Sequence, residues 1–222
     1  MKKEIILTSD HSHSIAIPAM NVTYHSTHGA IQESMHVFIE AGLNHIAASK
    51  DQISIFEMGF GTGLNALLSI AEAEKKQQRT YYETIELDPL EANIYTLLNY
   101  CEQLNRPGLQ PLLELLHRCE WNTTIEITPY FSFKKNLISL ADFLMTRQFD
   151  LIYFDAFAPE VQPELWTPGV FKKLYELMNP GAILTTYCSK SIVRKAMAEA
   201  GLTVTKIPGP PHKREMVRAI KQ

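Results

Sequence analysis

From residue 53 onward the chain alternates between two kinds of segment, and this alternation narrows the folds open to it. Residues 53–59 (ISIFEMG), 80–87 (TYYETIEL), 130–135 (YFSFKK), 149–154 (FDLIYF) and 181–187 (GAILTTY) are short and rich in β-branched or aromatic residues, as buried strands are. Between them, residues 64–76, 89–100, 107–119, 163–179 and 191–201 read as helices, with a short one over 140–145 (LADFLM). Pro89 opens its helix where a missing N–H costs nothing, and Asn179-Pro180-Gly181 stops another. Such alternation implies parallel strand pairing with helices on both faces, a Rossmann-like, mostly parallel, doubly wound α/β sheet. The last two strand segments, 203–207 and 215–220, have only a Pro-rich link between them, so an antiparallel C-terminal hairpin is expected at one edge.

Ahead of this region, EIILT, SIAIP and NVTYH suggest a small N-terminal β-meander. Ile31, Met35, Phe38 and Ile39 then fall at helical spacing. Residues 1–50 are read as a cap over cofactor and substrate, and residues 51–222 as the catalytic domain.

The first strand runs into Glu57-Met58-Gly59-Phe60-Gly61-Thr62-Gly63, and Leu64-Asn65 opens the next helix. Glycines between a strand and a helix let the backbone approach a ligand closely. The spacing is E-x-G-x-G-x-G, with Leu64 where a dinucleotide fingerprint has its third glycine. The second strand ends in Glu86, placed to accept protons from ribose hydroxyls, while Asp88 precedes Pro89 and is expected to cap the next helix. This pairing resembles the class I S-adenosylmethionine methyltransferases. The resemblance implies that Glu57, Gly59, Phe60, Gly61, Thr62, Gly63, Asn65 and Glu86 serve the cofactor. It leaves Ser139 or Asp142 for the adenine.

Residues 153–168 read YFDAFAPEVQPELWTP. Asp155 ends the fourth strand, on the rim where open α/β sheets bind ligands. An alkyl amine with a pKa near 10.4 is neutral in only roughly one molecule in a thousand at pH 7, so its methylation needs a proton acceptor. Asp155 suits that role, and Phe157 and Trp166 are placed to wall the pocket or stack on a base.

Charge is uneven. The net is −3, yet Val170 to Gln222 carries ten Lys/Arg against three Glu. Asymmetry of this kind can mark an acidic partner such as RNA. Cys101, Cys119 and Cys188 are scattered, without metal-ligand spacing, so no metal is expected and the thiols are read as reduced. No apolar stretch reaches membrane-span length and the N-terminus lacks signal-peptide form, so a cytoplasmic protein is expected.

Taken together, GFGTGLN, DAFAP…PELWTP, GPPHKREM and YHSTHGAIQESMHVFIEAGL closely resemble the methyltransferase half of the bifunctional tRNA 5-methylaminomethyl-2-thiouridine biosynthesis proteins. The resemblance implies methyl transfer to the aminomethyl nitrogen of a tRNA wobble uridine, with tRNA bound through its anticodon region. It implies that Asp155 faces the amine, that Tyr24 and Glu33 approach the cofactor, and that Phe157, Pro159, Trp166, Lys213 and Arg214 serve the substrate. The family's second, flavin-dependent half has no counterpart motif here, so a stand-alone methyltransferase is expected, with a separate oxidoreductase or other upstream enzyme supplying the amine. The alternatives are an aminopropyltransferase of the polyamine type and a non-catalytic SAM- or RNA-binding scaffold.

Overall fold

The computed structural model describes residues 1–48 and 50–222. Strands β1 (Glu4–Leu7), β2 (His13–Ile17) and β3 (Val22–Thr23) form the N-terminal antiparallel meander. Helix α1 (Ala30–Ser34) runs through a π-helical stretch, Met35–Leu43, into α2 (Asn44–Ala47). The main region comprises β4 (Gln52–Met58), α3 (Leu64–Lys76), β5 (Arg79–Glu86), α4 (Ala92–Tyr95), α5 (Tyr100–Gln103), α6 (Gln110–Arg118), β6 (Thr124–Thr128) and β7 (Phe131–Leu137). It continues with β8 (Phe149–Phe154), α7 (Pro168–Leu177), β9 (Met178–Thr186), α8 (Ser191–Glu199), β10 (Thr203–Pro208) and β11 (Glu215–Ile220).

The eight strands of the main sheet lie in the order β10-β11-β9-β8-β4-β5-β7-β6. The inner five, β9 to β7, pair in parallel. The hairpin β10–β11 adds to β9 antiparallel, as the missing helix between them required. At the opposite edge β6 pairs antiparallel with β7. That strand is not among the sequence expectations, although TIEIT has the period of two that a half-exposed edge strand shows.

The central strands are apolar on both faces because both faces are covered. On β4, Ile55 points to one core and Phe56 to the other; on β8, Tyr153 and Phe154 divide likewise. The first core takes Val37, Phe38 and Ile39 of the π-helical stretch, Leu67 of α3 and Leu113 of α6. The second takes Phe171 and Leu174 of α7 and Val193 and Met197 of α8.

Four local expectations are corrected. The helix expected over 89–100 is broken, because Asn99 is drawn to the meander: its Oδ1 accepts from His13 N at 2.8 Å and its Nδ2 donates to His11 O at 2.9 Å. Asp88 does not cap it; Lys3 Nζ donates to the Asp88 carboxylate at 3.0 Å and carbonyl at 2.8 Å. Residues 140–145 form turns and irregular chain, with Leu140 and Phe143 in the core and Leu144 80% exposed. Over 163–179, a 3₁₀ turn (Pro163–Trp166) precedes α7, whose first turn is capped by Thr167 Oγ1 accepting from Val170 N.

At the N-terminal end of the sheet, Asp150 ties three segments together. Its carboxylate accepts from Lys50 Nζ at 2.7 Å, Ser54 N and Oγ at 2.9 and 2.8 Å, and Asn179 Nδ2 at 2.9 Å. These partners hold its pKa below the usual value against the opposing effect of burial. Asp150→Ala leaves those donors unpaired and is expected to cost about 2–3 kcal/mol. Thermal unfolding should show a midpoint lower by several degrees; an unchanged midpoint would mean the cluster contributes nothing net.

Candidate active site

The parallel strands exit toward one rim, and β5 and β8 flank β4 on opposite sides, so the topological switch point lies at the end of β4. The glycine loop occupies that point. Gly61 has φ +52°, and a Cβ there would approach Tyr24 Cδ2 to 3.3 Å. Gly63 has φ +75°, and a Cβ would meet Phe60 Cζ at 3.0 Å and His117 Nε2 at 3.2 Å. Only glycine combines the left-handed backbone with that close approach. Beneath the loop, Phe60 packs on Phe133 and His117, and His117 Nε2 lies 3.0 Å from Thr62 O. Burial lowers the His117 pKa to about 4, so the ring is neutral at pH 7 and serves as an N–H donor to that carbonyl.

Glu86, at the end of β5, secures the loop from the side. Its Oε2 accepts from Gly61 N at 2.9 Å, and its Oε1 accepts from Leu87 N at 2.7 Å and Asp88 N at 2.8 Å. Each oxygen retains acceptor capacity toward the neighbouring cavity.

Asp155 stands across the loop at the end of β8. Its Oδ2 accepts from Asn65 Nδ2, at the start of α3, at 2.9 Å. The segment after it has no regular structure, and side chains supply what a backbone ladder would. Tyr187 OH donates to Ala156 O at 2.8 Å, Trp166 Nε1 donates to Phe157 O at 2.8 Å, and Phe157 N donates to Gln162 Oε1 at 3.2 Å. This accounts for the aromatic and polar density of 153–168: an irregular loop at a sheet rim needs fixed partners for its backbone groups. Asp155 is closely surrounded by protein yet keeps part of its surface open to the cavity. Desolvation, with the nearby Glu33 charge adding to it and Asn65 and Lys213 opposing, pushes its pKa up to about 7.

The N-terminal segment closes the near side. Tyr24 meets Phe157 edge to face at 5.4 Å. Burial, then Glu86 and Asp88, raise the Tyr24 pKa, so it stays a neutral phenol. Glu33 Oε2 accepts from Ser26 N at 2.8 Å and its Oε1 from Lys213 Nζ at 3.0 Å. Lys213 also sits over the Tyr187 ring, 4.2 Å from its centroid. Tyr24, the glycine loop, Glu86, Asp155 and Phe157 border a cavity of about 460 Å³, within the usual range for small-molecule sites, while Glu33 and Lys213 line a second, smaller pocket.

Of the expected site residues, Tyr24, Gly59, Phe60, Gly61, Thr62, Asn65, Glu86, Ser139, Asp155 and Phe157 line this cavity. Asp142 does not line it; it accepts a 2.6 Å bond from Ser139 Oγ. Gly63, Glu33 and Lys213, also expected at the site, are not on its wall. Four further placements differ from expectation. Glu57 lies behind the wall, wholly buried. Trp166 is 4% exposed and packs in the core on Phe154 and Phe171, so it fixes Phe157 and cannot stack on a base. Pro159 does not reach the cavity wall, and Arg214 is exposed outside it. The sequence reading missed His25, Gln162 and Tyr187; of these, Tyr187 carried a usable signal, its position at a strand end on the rim.

With this geometry in view, a family model described as S-adenosyl-L-methionine-dependent methyltransferase matches residues 107–222. The chain belongs to that methyltransferase family. Its cofactor is S-adenosyl-L-methionine. The residues fit such a group: left-handed glycines bring backbone close to the cavity, Glu86 presents acceptor oxygens, and Ile85, Leu87, Ile138 and Leu140 add apolar wall. Among curated proteins, the tRNA 5-methylaminomethyl-2-thiouridine biosynthesis bifunctional protein of Cupriavidus necator is 31% identical over 205 residues, covering 86% of this chain and 30% of the relative. That of Ralstonia nicotianae is 32% identical over 209 residues, covering 88% and 31%. The chain therefore spans less than a third of the length of these relatives. Among solved structures, MNMC2 from Aquifex aeolicus superposes with a TM-score of 0.80 at 24% identity, covering 98% of this chain and 70% of that one. Spermidine synthase from Thermotoga maritima gives 0.57 at 11% identity, covering 99% and 68%. Both are likenesses of fold.

Among the described residues, no helix is long and apolar enough to cross a membrane, and no group of three or more His, Cys, Asp or Glu is arranged to hold a metal ion.

The raised Asp155 pKa has a consequence for stability. The folded protein binds this proton more tightly than the unfolded chain, so ionising Asp155 opposes folding. The penalty is absent below the ordinary value of 3.8, grows as pH rises toward about 7, and is complete above it. At roughly 1.4 kcal/mol per pKa unit, Asp155→Asn should be more stable than wild type by the order of 2–4 kcal/mol at alkaline pH, with the gap closing in acid. Chemical denaturation at several pH values tests this; a gap independent of pH would contradict it.

Proposed function

We propose that this chain transfers a methyl group from S-adenosyl-L-methionine to the aminomethyl nitrogen of 5-aminomethyl-(2-thio)uridine at the tRNA wobble position, giving 5-methylaminomethyl-(2-thio)uridine. The observation that carries this reading is Asp155: a carboxyl with a pKa near 7, held by Asn65 on the cavity wall across from the glycine loop. A group so poised both attracts a protonated amine and accepts a proton at neutral pH. The two curated relatives, named for biosynthesis of that nucleoside, support the substrate class.

In this reading Gly59, Phe60, Gly61, Thr62 and Gly63 cradle the cofactor, Glu86 takes its ribose, Ser139 lies toward the adenine, and Tyr24 and Glu33 close the near side. The cofactor supplies, when bound, a methyl already activated on sulfonium. The work left to the protein is alignment and proton handling. Asp155 orients the amine and accepts the proton it loses. Tyr24 and Phe157 exclude water and leave an aromatic slot for an extruded base, as single-stranded RNA readers do. Residues 1–50 act as a cap on a catalytic domain of residues 51–222. tRNA binds by its anticodon region, a separate upstream enzyme supplies the amine, and the setting is cytoplasmic.

The decisive experiment incubates the protein with radiolabelled cofactor and tRNA from cells lacking the last methylation, then identifies the labelled nucleoside. Label is expected in 5-methylaminomethyl-uridine, with the rate rising as pH passes about 7 and falling about 10²-fold or more in Asp155→Asn. Label only with decarboxylated cofactor and a diamine would instead identify an aminopropyltransferase.

The basic C-terminal region is partly committed to internal pairs. Lys190 pairs with Glu160, Lys206 with Glu215, and Arg218 donates to Ala41 O. Lys213 is likewise paired, with Glu33, and Arg214 beside it is exposed; in this reading the loop that carries both makes the phosphate contacts, Lys213 exchanging Glu33 for a phosphate. Lys213→Ala with Arg214→Ala should weaken tRNA binding and reduce its salt slope by roughly one to two; a titration with unchanged slope would assign both residues to structure alone.

A further inference from the structure

Glu57 is the acid of the glycine motif, yet the cavity wall passes from Met58 through the glycines to Asn65 without including it. Its side chain points into the protein, at 0% exposure, and neither carboxyl oxygen has a hydrogen-bond partner. Thr84, Tyr82 and Asn65 face it, and Asp155 and Tyr153 lie near; among the described residues it makes no ion pair. Asn65 Oδ1 and Tyr82 OH are also buried without a partner. Tyr82 OH brings a single donor, against Asn65 Oδ1 and both Glu57 oxygens as acceptors, so acceptors outnumber donors here. An ionised carboxylate there would have lost its water for no more than partial donation from Thr84, Tyr82 and Asn65. It would also repel Asp155, the second carboxyl on the same amide.

We propose that Glu57 retains a proton throughout turnover and acts on Asp155 through Asn65, as a positioning residue and not as a cofactor ligand. The inference deepens the proposed reaction and rests on it for the role of Asp155. Asn65 stands between the two carboxyls: its Nδ2 donates to Asp155 Oδ2, and Glu57 lies on its buried side. A proton on Glu57 supplies a donor for Asn65 Oδ1, an acceptor that has no partner. Burial and the nearby Asp155 charge both hold the Glu57 pKa well above the carboxylate range, with Thr84, Tyr82 and Asn65 only partly opposing.

The charge of the pair is then a single one, and it resides on Asp155. The other groups near Asp155 are Glu33 of α1, Tyr82 of β5, Lys213 from the loop between β10 and β11, and Tyr187 beyond β9. Lys213 offsets Glu33 through their 3.0 Å ion pair, so a second ionised acid behind Asp155 would have no cation left to balance it. In the transfer, nitrogen bonds to carbon as the carbon–sulfur bond breaks and its electron pair leaves with sulfur. The proton lost by nitrogen goes to Asp155, and Glu57 keeps its own.

Two measurements on the full chain test this. The first is infrared difference spectroscopy of the protein alone, in an Asp155→Asn background so that Asp155 does not contribute. A carbonyl band of a protonated acid should persist across the neutral and mildly alkaline range and vanish in Asp155→Asn with Glu57→Gln. Absence of that band, or its loss on approaching neutral pH, overturns the proposal. This arm needs no substrate, so it stands apart from whether the tRNA reaction is correctly assigned.

The second is kinetic. Glu57→Leu, which keeps bulk and removes the hydrogen-bonding group, should lower kcat about tenfold and displace the pH midpoint, with the KM for the cofactor unchanged. Glu57→Gln, whose amide restores a donor without charge, should recover most of the rate and the wild-type midpoint. A cofactor KM about tenfold higher in Glu57→Gln would make Glu57 an ionised cofactor ligand and refute the proposal.

Discussion

The 2.9 Å hydrogen bond from Asn65 to Asp155 joins the first turn of α3 to the end of β8, and the site is organised around it. Asn65 can stand there only because the glycine loop turns sharply enough to start α3 beside the rim. Asp155 can meet it only because β8 pairs directly with β4, with Met58 opposite Phe154. One contact thus reports on strand order, loop geometry and helix placement together. It also sets the electrostatics, since it is the neutral donor that keeps a desolvated carboxyl from being pushed higher still.

Around that contact the protein uses two kinds of support. Where the chain is regular, ladders and two apolar cores hold it. Where it is irregular, in the segment after Asp155, individual side chains bind the backbone: Tyr187 to Ala156, Trp166 to Phe157, Gln162 to Phe157. The difference has a physical origin. Backbone groups at a rim lose some of their water to the surrounding side chains and must be paired in some other way. The rim can then carry chemistry because its geometry does not depend on being a strand or a helix.

The N-terminal segment illustrates how distant parts of the chain meet. Glu33 of α1 reaches Lys213, 180 positions later, and Tyr24 leans on Gly61 and Phe157. The C-terminal hairpin loop thereby meets the cap at a second, smaller pocket, while Tyr24 of the cap lines the space that the glycine loop opens. Lys213, which charge distribution alone marks as one of many late cations, is singled out by these contacts and by the Tyr187 ring beneath it.

Alternating apolar segments were enough to determine a parallel sheet covered on both faces, because strands buried on two sides must be apolar throughout. Turn chemistry pointed to Gly59, Gly61 and Glu86, and a strand end to Asp155, and all four line the cavity. Local signals failed where a tertiary partner outweighed them. Asn99 left its helix for His11 and His13; Asp88 took Lys3 in place of a cap; Trp166, aromatic and beside the motif, went to the core because Phe154 and Phe171 offered it burial and Phe157 a hydrogen bond. Glu57 shows the division most plainly. Its residue type and spacing follow from the motif, but whether it faces the cavity or the interior depends on Tyr82 of β5, Tyr153 of β8 and Asn65 of α3 gathering around it. Only their packing turned an acid at a ligand loop into a carboxyl sealed from water.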